Sequence, residues 1–168
     1  MLSEGAAAPA FSLSGIHGPT DEGSTYEIRE FSLSSLLEDG PVLLAFYPGD
    51  FSPVCTEQLC ALRDIEVDTG SGSTPLLGIS RDNLFSHESF AYEHDLTLPL
   101  LSDVEGETCR AYDAIHEDPV EDRGVEAGLP KRTLYVVDAD GMISYAWQSE
   151  DPQVSPDLDP AIEPLSTD

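Results

Sequence analysis

The stretch FYPGDFSPVCTEQLC, Phe46–Cys60, decides how this chain is read. It grows out of the apolar run Val42–Tyr47, which is too short for a helix and lies between Asp39-Gly40-Pro41 and Pro48, so it predicts a buried strand. Pro48 and Pro53 break regular structure just ahead of Cys55. From Cys55 to about Val67 the spacing is helical: Cys55, Leu59, Leu62 and Glu66 share a face, with Ile65 beside it. A thiol is thereby placed in the first turn of a helix, where backbone N–H groups lack partners and the macrodipole is positive, a field that favours the thiolate. Ser52 falls near the N-cap, within reach of the thiolate or of a bound ligand.

The pattern outward from this segment alternates strand and helix. Phe11–Ile16 and Thr25–Phe31 predict an N-terminal hairpin, with Gly15–Gly23 as its turn, and Ser32–Glu38 a short helix. After the Gly/Ser-rich Gly70–Ser73, Pro75–Ile79 is a second buried strand; Asp82 or Asn83 caps a helix through about His94. Leu96–Leu101 is extended, and Asp103 caps a helix through Tyr112. His116–Pro130 is an acidic loop without periodicity, and Thr133–Asp138 pairs antiparallel with Met142–Trp147 about Ala139-Asp140-Gly141. Together these predict an α/β protein of thioredoxin-like plan, a mixed central sheet with helices on both faces. One domain, 1–148, is expected, followed by an acidic tail, 149–168, whose prolines at 152, 156, 160 and 164 keep it extended and mobile beyond a turn of helix.

The 168 residues carry 33 acidic and seven basic side chains, a net charge of −26, with Lys131 the only lysine. Such a chain repels nucleic acid and anionic membrane. Its carboxylates are scattered between apolar runs, so an acidic surface surrounds an ordinary core. Self-repulsion on this scale calls for screening, and the composition is that of a salt-adapted protein. The N-terminus has neither a basic segment nor an apolar stretch of signal length, and no run approaches a membrane span, so a cytoplasmic location is expected. Three cysteines speak against a disulfide framework and for reduced thiols with chemical roles.

Pro48, Ser52 and Cys55 fit the pattern Pro-x-x-x-Thr/Ser-x-x-Cys of peroxiredoxins. FYPGDFSPVCTEQLCALRD resembles the bacterioferritin comigratory protein, or Q-type, subgroup, in which a second cysteine also lies five residues on. The likeness extends from APAFSL near Ala8 through LLAFYP, LLGISRD, LPLLSD and LPKRTLYVVDADG to about Trp147. It implies a thioredoxin-like peroxidase that reduces hydrogen peroxide and small organic hydroperoxides. In that family the first cysteine, here Cys55, attacks the peroxide; the proline, Pro48, shields it; the hydroxyl residue, Ser52, binds the substrate oxygens; and an arginine, here Arg132, favours the thiolate. Cys60 becomes the resolving thiol, with a thioredoxin-like reductant as partner, no metal or organic cofactor, and a monomer or homodimer as the assembly. Ser52 replaces the commoner threonine, and the tail lacks the regular amphipathic helix that often closes this fold.

Five residues along an intact helix separate Cα atoms by ~8–9 Å and rotate them by ~140°, outside disulfide range, so the first turns must unwind before Cys55 and Cys60 can join. A thiol-disulfide oxidoreductase is the rival enzyme, but it usually has two residues between its cysteines rather than four. A redox-sensing or holdase-like module on the same fold is the non-catalytic rival. Cys109 has no motif around it and reads as structural, and the histidines at 17, 87, 94 and 116 lack zinc-type spacing. The charge makes a prediction of its own: the melting temperature rises from dilute buffer to molar KCl, and an unchanged value refutes salt adaptation.

Overall fold

Strands Ser12–His17 (β1), Glu27–Ser32 (β2), Val42–Phe46 (β3), Leu76–Ser80 (β4), Leu100–Ser102 (β5), Thr133–Val137 (β6) and Ile143–Gln148 (β7) form one sheet in the order β2-β1-β5-β4-β3-β6-β7. The computed structural model describes residues 1–18, 26–65 and 75–165. β3 pairs parallel with β4, and β4 with β5, while β1–β2, β1–β5, β3–β6 and β6–β7 are antiparallel. This is the mixed, thioredoxin-like sheet that the alternation predicts. The N-terminal hairpin is present, with Ser12 opposite Ser32 and His17 opposite Glu27. Most of its expected turn and Thr25 lie outside the described residues, as do the helix end at Glu66–Val67 and the exit Gly70–Ser73.

Every residue of β3 is buried because both faces of the sheet are covered. Leu43, Ala45 and Tyr47 face a core that includes Cys55, Leu59 and Leu62 of the helix Pro53–Arg63 (α2) and Phe90 and Ala91 of Leu84–His94 (α3). Val42, Leu44 and Phe46 point the other way, into a core with Leu33 of the short helix Leu33–Leu36 (α1) and Cys109 of Glu107–Ala111 (α4). The period-2 alternation of one strand thus serves two cores.

Several boundaries differ from the sequence expectations, each for a local reason. α2 starts at Pro53, two residues before Cys55, because Ser52 caps it and a proline at the first helical position loses no bond. The Ser32–Glu38 helix is α1 followed by a 3₁₀ turn at Leu37–Asp39. The helix expected from Asp103 begins only at Glu107; Asp103 reaches forward to accept from the N–H groups of Thr108 (3.3 Å) and Cys109 (2.7 Å). The acidic loop holds a 3₁₀ turn at Glu121–Arg123, closed by bridges Val120–Val125 and Ile115–Pro130.

The largest difference is at the C-terminal end. The turn of helix allowed for in the tail is present as Asp159–Ile162 (α5), but it does not stand free: with the 3₁₀ turn Glu163–Leu165 it packs on the α2/α3 core, burying Ala161 and Leu165. Prolines at helix starts, Pro160 in α5 among them, are compatible with helix, which a reading of proline as a breaker misses. Leu165→Ala is expected to lower stability by about 2–5 kcal/mol, the usual cost of emptying a buried leucine site. Urea unfolding measures it; an unshifted midpoint would show that the C-terminal turn does not dock.

Candidate active site

The site is assembled at the N-terminal end of α2. Ser52 takes extended backbone angles, and its Oγ accepts from the Cys55 N–H at 3.3 Å, while Thr56 Oγ1 donates to the Ser52 carbonyl at 2.8 Å. The cap fixes where the helix begins and hence where Cys55 points. Just upstream, Phe51 has φ +66°, a left-handed value that is rare for a bulky residue, and its ring meets Phe90 at a centroid distance of 5.1 Å.

Behind that turn lies a buried polar network. The Asp50 carboxylate accepts from the Tyr47 hydroxyl (2.7 Å) and the Ser86 hydroxyl (2.9 Å) and lies 2.8 Å from His87 Nδ1. The other ring nitrogen of His87 is 3.0 Å from the Leu101 carbonyl, so it carries a proton that it donates there. Asp82 accepts from the Asp50 N–H and the Ser80 hydroxyl. Burial, and then the Asp50 charge, push the Tyr47 hydroxyl well above its ordinary range, which keeps it a donor. Asp50, Asp82 and His87 bring their polar atoms within 4.8 Å of one another, but these hydrogen bonds occupy them. The network ties the Tyr47–Ser52 turn to α3.

Arg132 immediately precedes β6 and is wholly buried. Nη2 donates to Cys55 Sγ at 3.0 Å and to the Pro152 carbonyl at 2.8 Å; Nε also donates to Pro152 O (3.0 Å), and Nη1 to Gln58 Oε1 (2.5 Å). Among the described residues no carboxylate pairs with this guanidinium. Cys55 itself is fully buried, and a cleft of about 310 Å³ opens beside it, lined by Pro48, Ser52 and Arg132 together with Arg123, Val125 and Leu129 of the acidic loop.

The structure therefore brings Pro48, Ser52, Cys55 and Arg132 together. Cys60 is half-buried further along the intact α2, with Arg63 Nη1 3.8 Å from its Sγ, and all three cysteines are free thiols. Sequence reading missed two partners of Arg132. Gln58 had a signal, a polar residue three after Cys55 on the buried side of the helix. Pro152 contributes only a backbone carbonyl, which every residue has, so nothing in the sequence marks it.

A cysteine held in the first turn of a helix against a buried arginine, on a thioredoxin-like sheet, defines a cysteine-based redox class of protein. The AhpC/TSA family model matches residues 5–146, and the chain belongs to this family. It is 32% identical over 149 residues to the peroxiredoxin bcp of Coxiella burnetii, covering 87% of this chain and 88% of that one. It is likewise 32% identical over 149 residues to a chloroplastic peroxiredoxin Q of Triticum aestivum, covering 89% of this chain and 60% of the longer plant protein. Among solved structures, the peroxidoxin BcpB of Mycobacterium tuberculosis superposes with TM-score 0.75 at 28% identity, over 98% of this chain and 97% of that one. A cysteine-to-serine mutant of PrxQ from Xylella fastidiosa gives 0.65 at 26%, over 77% and 76%. The chain is a peroxiredoxin, a thiol-dependent peroxidase.

Cys109 stands apart from this site. It is fully buried in the opposite core, and desolvation, then the Asp103 carboxylate, push its thiol far up. Under native conditions at pH 8, iodoacetamide should therefore modify Cys109 at least tenfold more slowly than in urea. Equal rates, read by peptide mass spectrometry, would contradict the burial.

Proposed function

We propose that Cys55 is the peroxide-reacting thiolate and that Arg132 is its charge partner. One observation supports this above all: a buried guanidinium with no carboxylate partner among the described residues, in a chain with 33 acidic side chains, and with a sulfur 3.0 Å away. A buried cation without an anion is costly, and the thiolate of Cys55 supplies one. The sulfur attacks the terminal oxygen of a hydroperoxide; the S–O bond forms as O–O breaks, and the leaving alkoxide or hydroxide takes a proton from solvent. Cys55 becomes a sulfenic acid and the product is an alcohol or water. The Arg132 N–H groups and the Ser52 hydroxyl serve the oxygens on which charge develops, and Pro48 shields the sulfur.

Cys60 is the resolving thiol: its sulfur displaces the sulfenic oxygen, water leaves, and a Cys55–Cys60 disulfide forms. The two lie on one unbroken helix, so α2 must unwind locally first. A dithiol reductant of thioredoxin type then exchanges with the disulfide and restores both thiols. A cytoplasmic setting, salt adaptation and a monomer or homodimer belong to the same proposal; no helix among the described residues is long and apolar enough to cross a membrane.

Cys55→Ser is expected to abolish peroxide consumption with dithiothreitol, and Arg132→Gln to slow it roughly a hundredfold, the usual cost of a lost charge-stabilising donor. Activity surviving in Cys55→Ser ends the assignment. One equivalent of peroxide should leave a Cys55–Cys60 linkage by mass spectrometry in the wild type and a dimedone-trapped sulfenic acid in Cys60→Ser. Absence of that linkage removes Cys60 from the mechanism.

A further inference from the structure

Among the described residues, twelve line the cleft beside Cys55, and none of them is acidic. Twelve drawn at random from this chain would carry about two carboxylates, and a surface sample more. Two arginines line it, Arg132 at the sulfur and Arg123 on the acidic loop, from a chain with only seven basic residues. The rest of the lining is largely apolar and includes Val54, Val125 and Leu129. At about 310 Å³ the space far exceeds hydrogen peroxide, whose two oxygens need little more room than the ≈ 30 Å³ of a water molecule. Arg123 is only loosely engaged: its side chain makes one contact among the described residues, Nη2 to Asp151 Oδ2 at 3.4 Å, with both groups some two-fifths exposed. Such a pair is worth little, and most of the guanidinium fork remains available.

We infer that the cleft selects a carboxylate-bearing organic hydroperoxide, its apolar chain against Val125 and Leu129, its anionic end on Arg123 and its hydroperoxide end at Cys55. The inference rests on the peroxidase reading above and assigns Arg123 as a specificity determinant. The reaction itself is unchanged: the thiolate takes the terminal oxygen and the carboxylate-bearing alkoxide leaves, protonated by solvent. Long-range repulsion from the net charge of −26 acts against any anion, but at ~1 M salt the Debye length is ~3 Å, so the contact with Arg123 decides.

The test compares ω-hydroperoxyhexanoate with its methyl ester in molar KCl, measuring the second-order rate of Cys55 oxidation for each. The ratio is taken within each protein, so a general loss of activity or of folded protein cancels. Wild type is expected to prefer the carboxylate about threefold or more, Arg123→Gln to lose that preference, and Arg123→Lys to keep part of it. A wild-type ratio at or below one, or a ratio unchanged in Arg123→Gln, overturns the assignment while leaving the peroxidase reading intact. If neither hydroperoxide nor hydrogen peroxide oxidises Cys55, the peroxidase reading fails and this inference with it.

Discussion

The buried guanidinium of Arg132 is the constraint on which the rest of the site depends. Removing such a cation from water costs several kcal/mol even after relaxation, and that cost is offset only where each N–H finds an acceptor in good geometry. Its acceptors come from separate parts of the chain: Cys55 and Gln58 on α2, and the Pro152 carbonyl beyond β7. The segment after β7 is therefore part of the site's architecture, and its last turns are held in place by Ala161 and Leu165 in the α2/α3 core. Gln58 Oε1 and Pro152 O are neutral, so they satisfy hydrogen bonds without supplying charge. The sulfur is the remaining contact able to become an anion.

The same helix carries opposed demands. Its N-terminal end is defined by the Ser52 cap and Pro53, a cap being worth about 1 kcal/mol, while its middle is anchored by the fully buried Leu59 and Leu62. At the far end, Arg63 Nη1 donates to the His94 carbonyl at 2.5 Å and lies against Cys60, which joins the last turn of α2 to the end of α3. The N-terminal half is held by the cap, by the burial of Cys55 and by the Arg132 bonds to Cys55 and Gln58, and the C-terminal half by Leu59, Leu62 and the Arg63 bond to α3. In the resolving step proposed above, Cys55 travels toward Cys60, so the contacts of the N-terminal half are the ones that must break.

The legible parts of the structure were those fixed by local chemistry. Val42–Tyr47 reads as a two-faced buried strand because an apolar run of that length with glycine and proline at its edges has few alternatives, and Asn83 caps α3 as its side chain suggests. The grouping of Pro48, Ser52 and Cys55 was legible because all three lie within eight residues. Arg132 came from the resemblance alone, since no periodicity links it to a cysteine 77 positions away. The Asp50–His87 pair, 37 residues apart, left no trace in spacing, and neither did the Pro152 carbonyl. The docking of α5 was obscured by prolines, whose meaning depends on whether they begin a helix or interrupt one.

Charge is distributed so that the carboxylates near the turn are kept in hydrogen bonds of their own while a guanidinium meets the sulfur of Cys55. Carboxylates near the turn, Asp50 and Asp82, are turned away from the cleft into hydrogen bonds with Tyr47, Ser80, Ser86 and His87. In water each would repel a nearby sulfur anion by only ~1 kcal/mol at 4 Å, but inside the protein the same repulsion is several times larger. His87 donates to Leu101 O through one nitrogen and lies 2.8 Å from the Asp50 carboxylate through the other, which ties that carboxylate to α3. Salt weakens the field of the distant surface acids but barely touches contacts of 3 Å, so screening lowers the background repulsion while leaving Arg132 against Cys55 at full strength. Screening of the surface acids and the buried cation thus act on different parts of one electrostatic problem, the first on the distant field and the second on the contact at the sulfur.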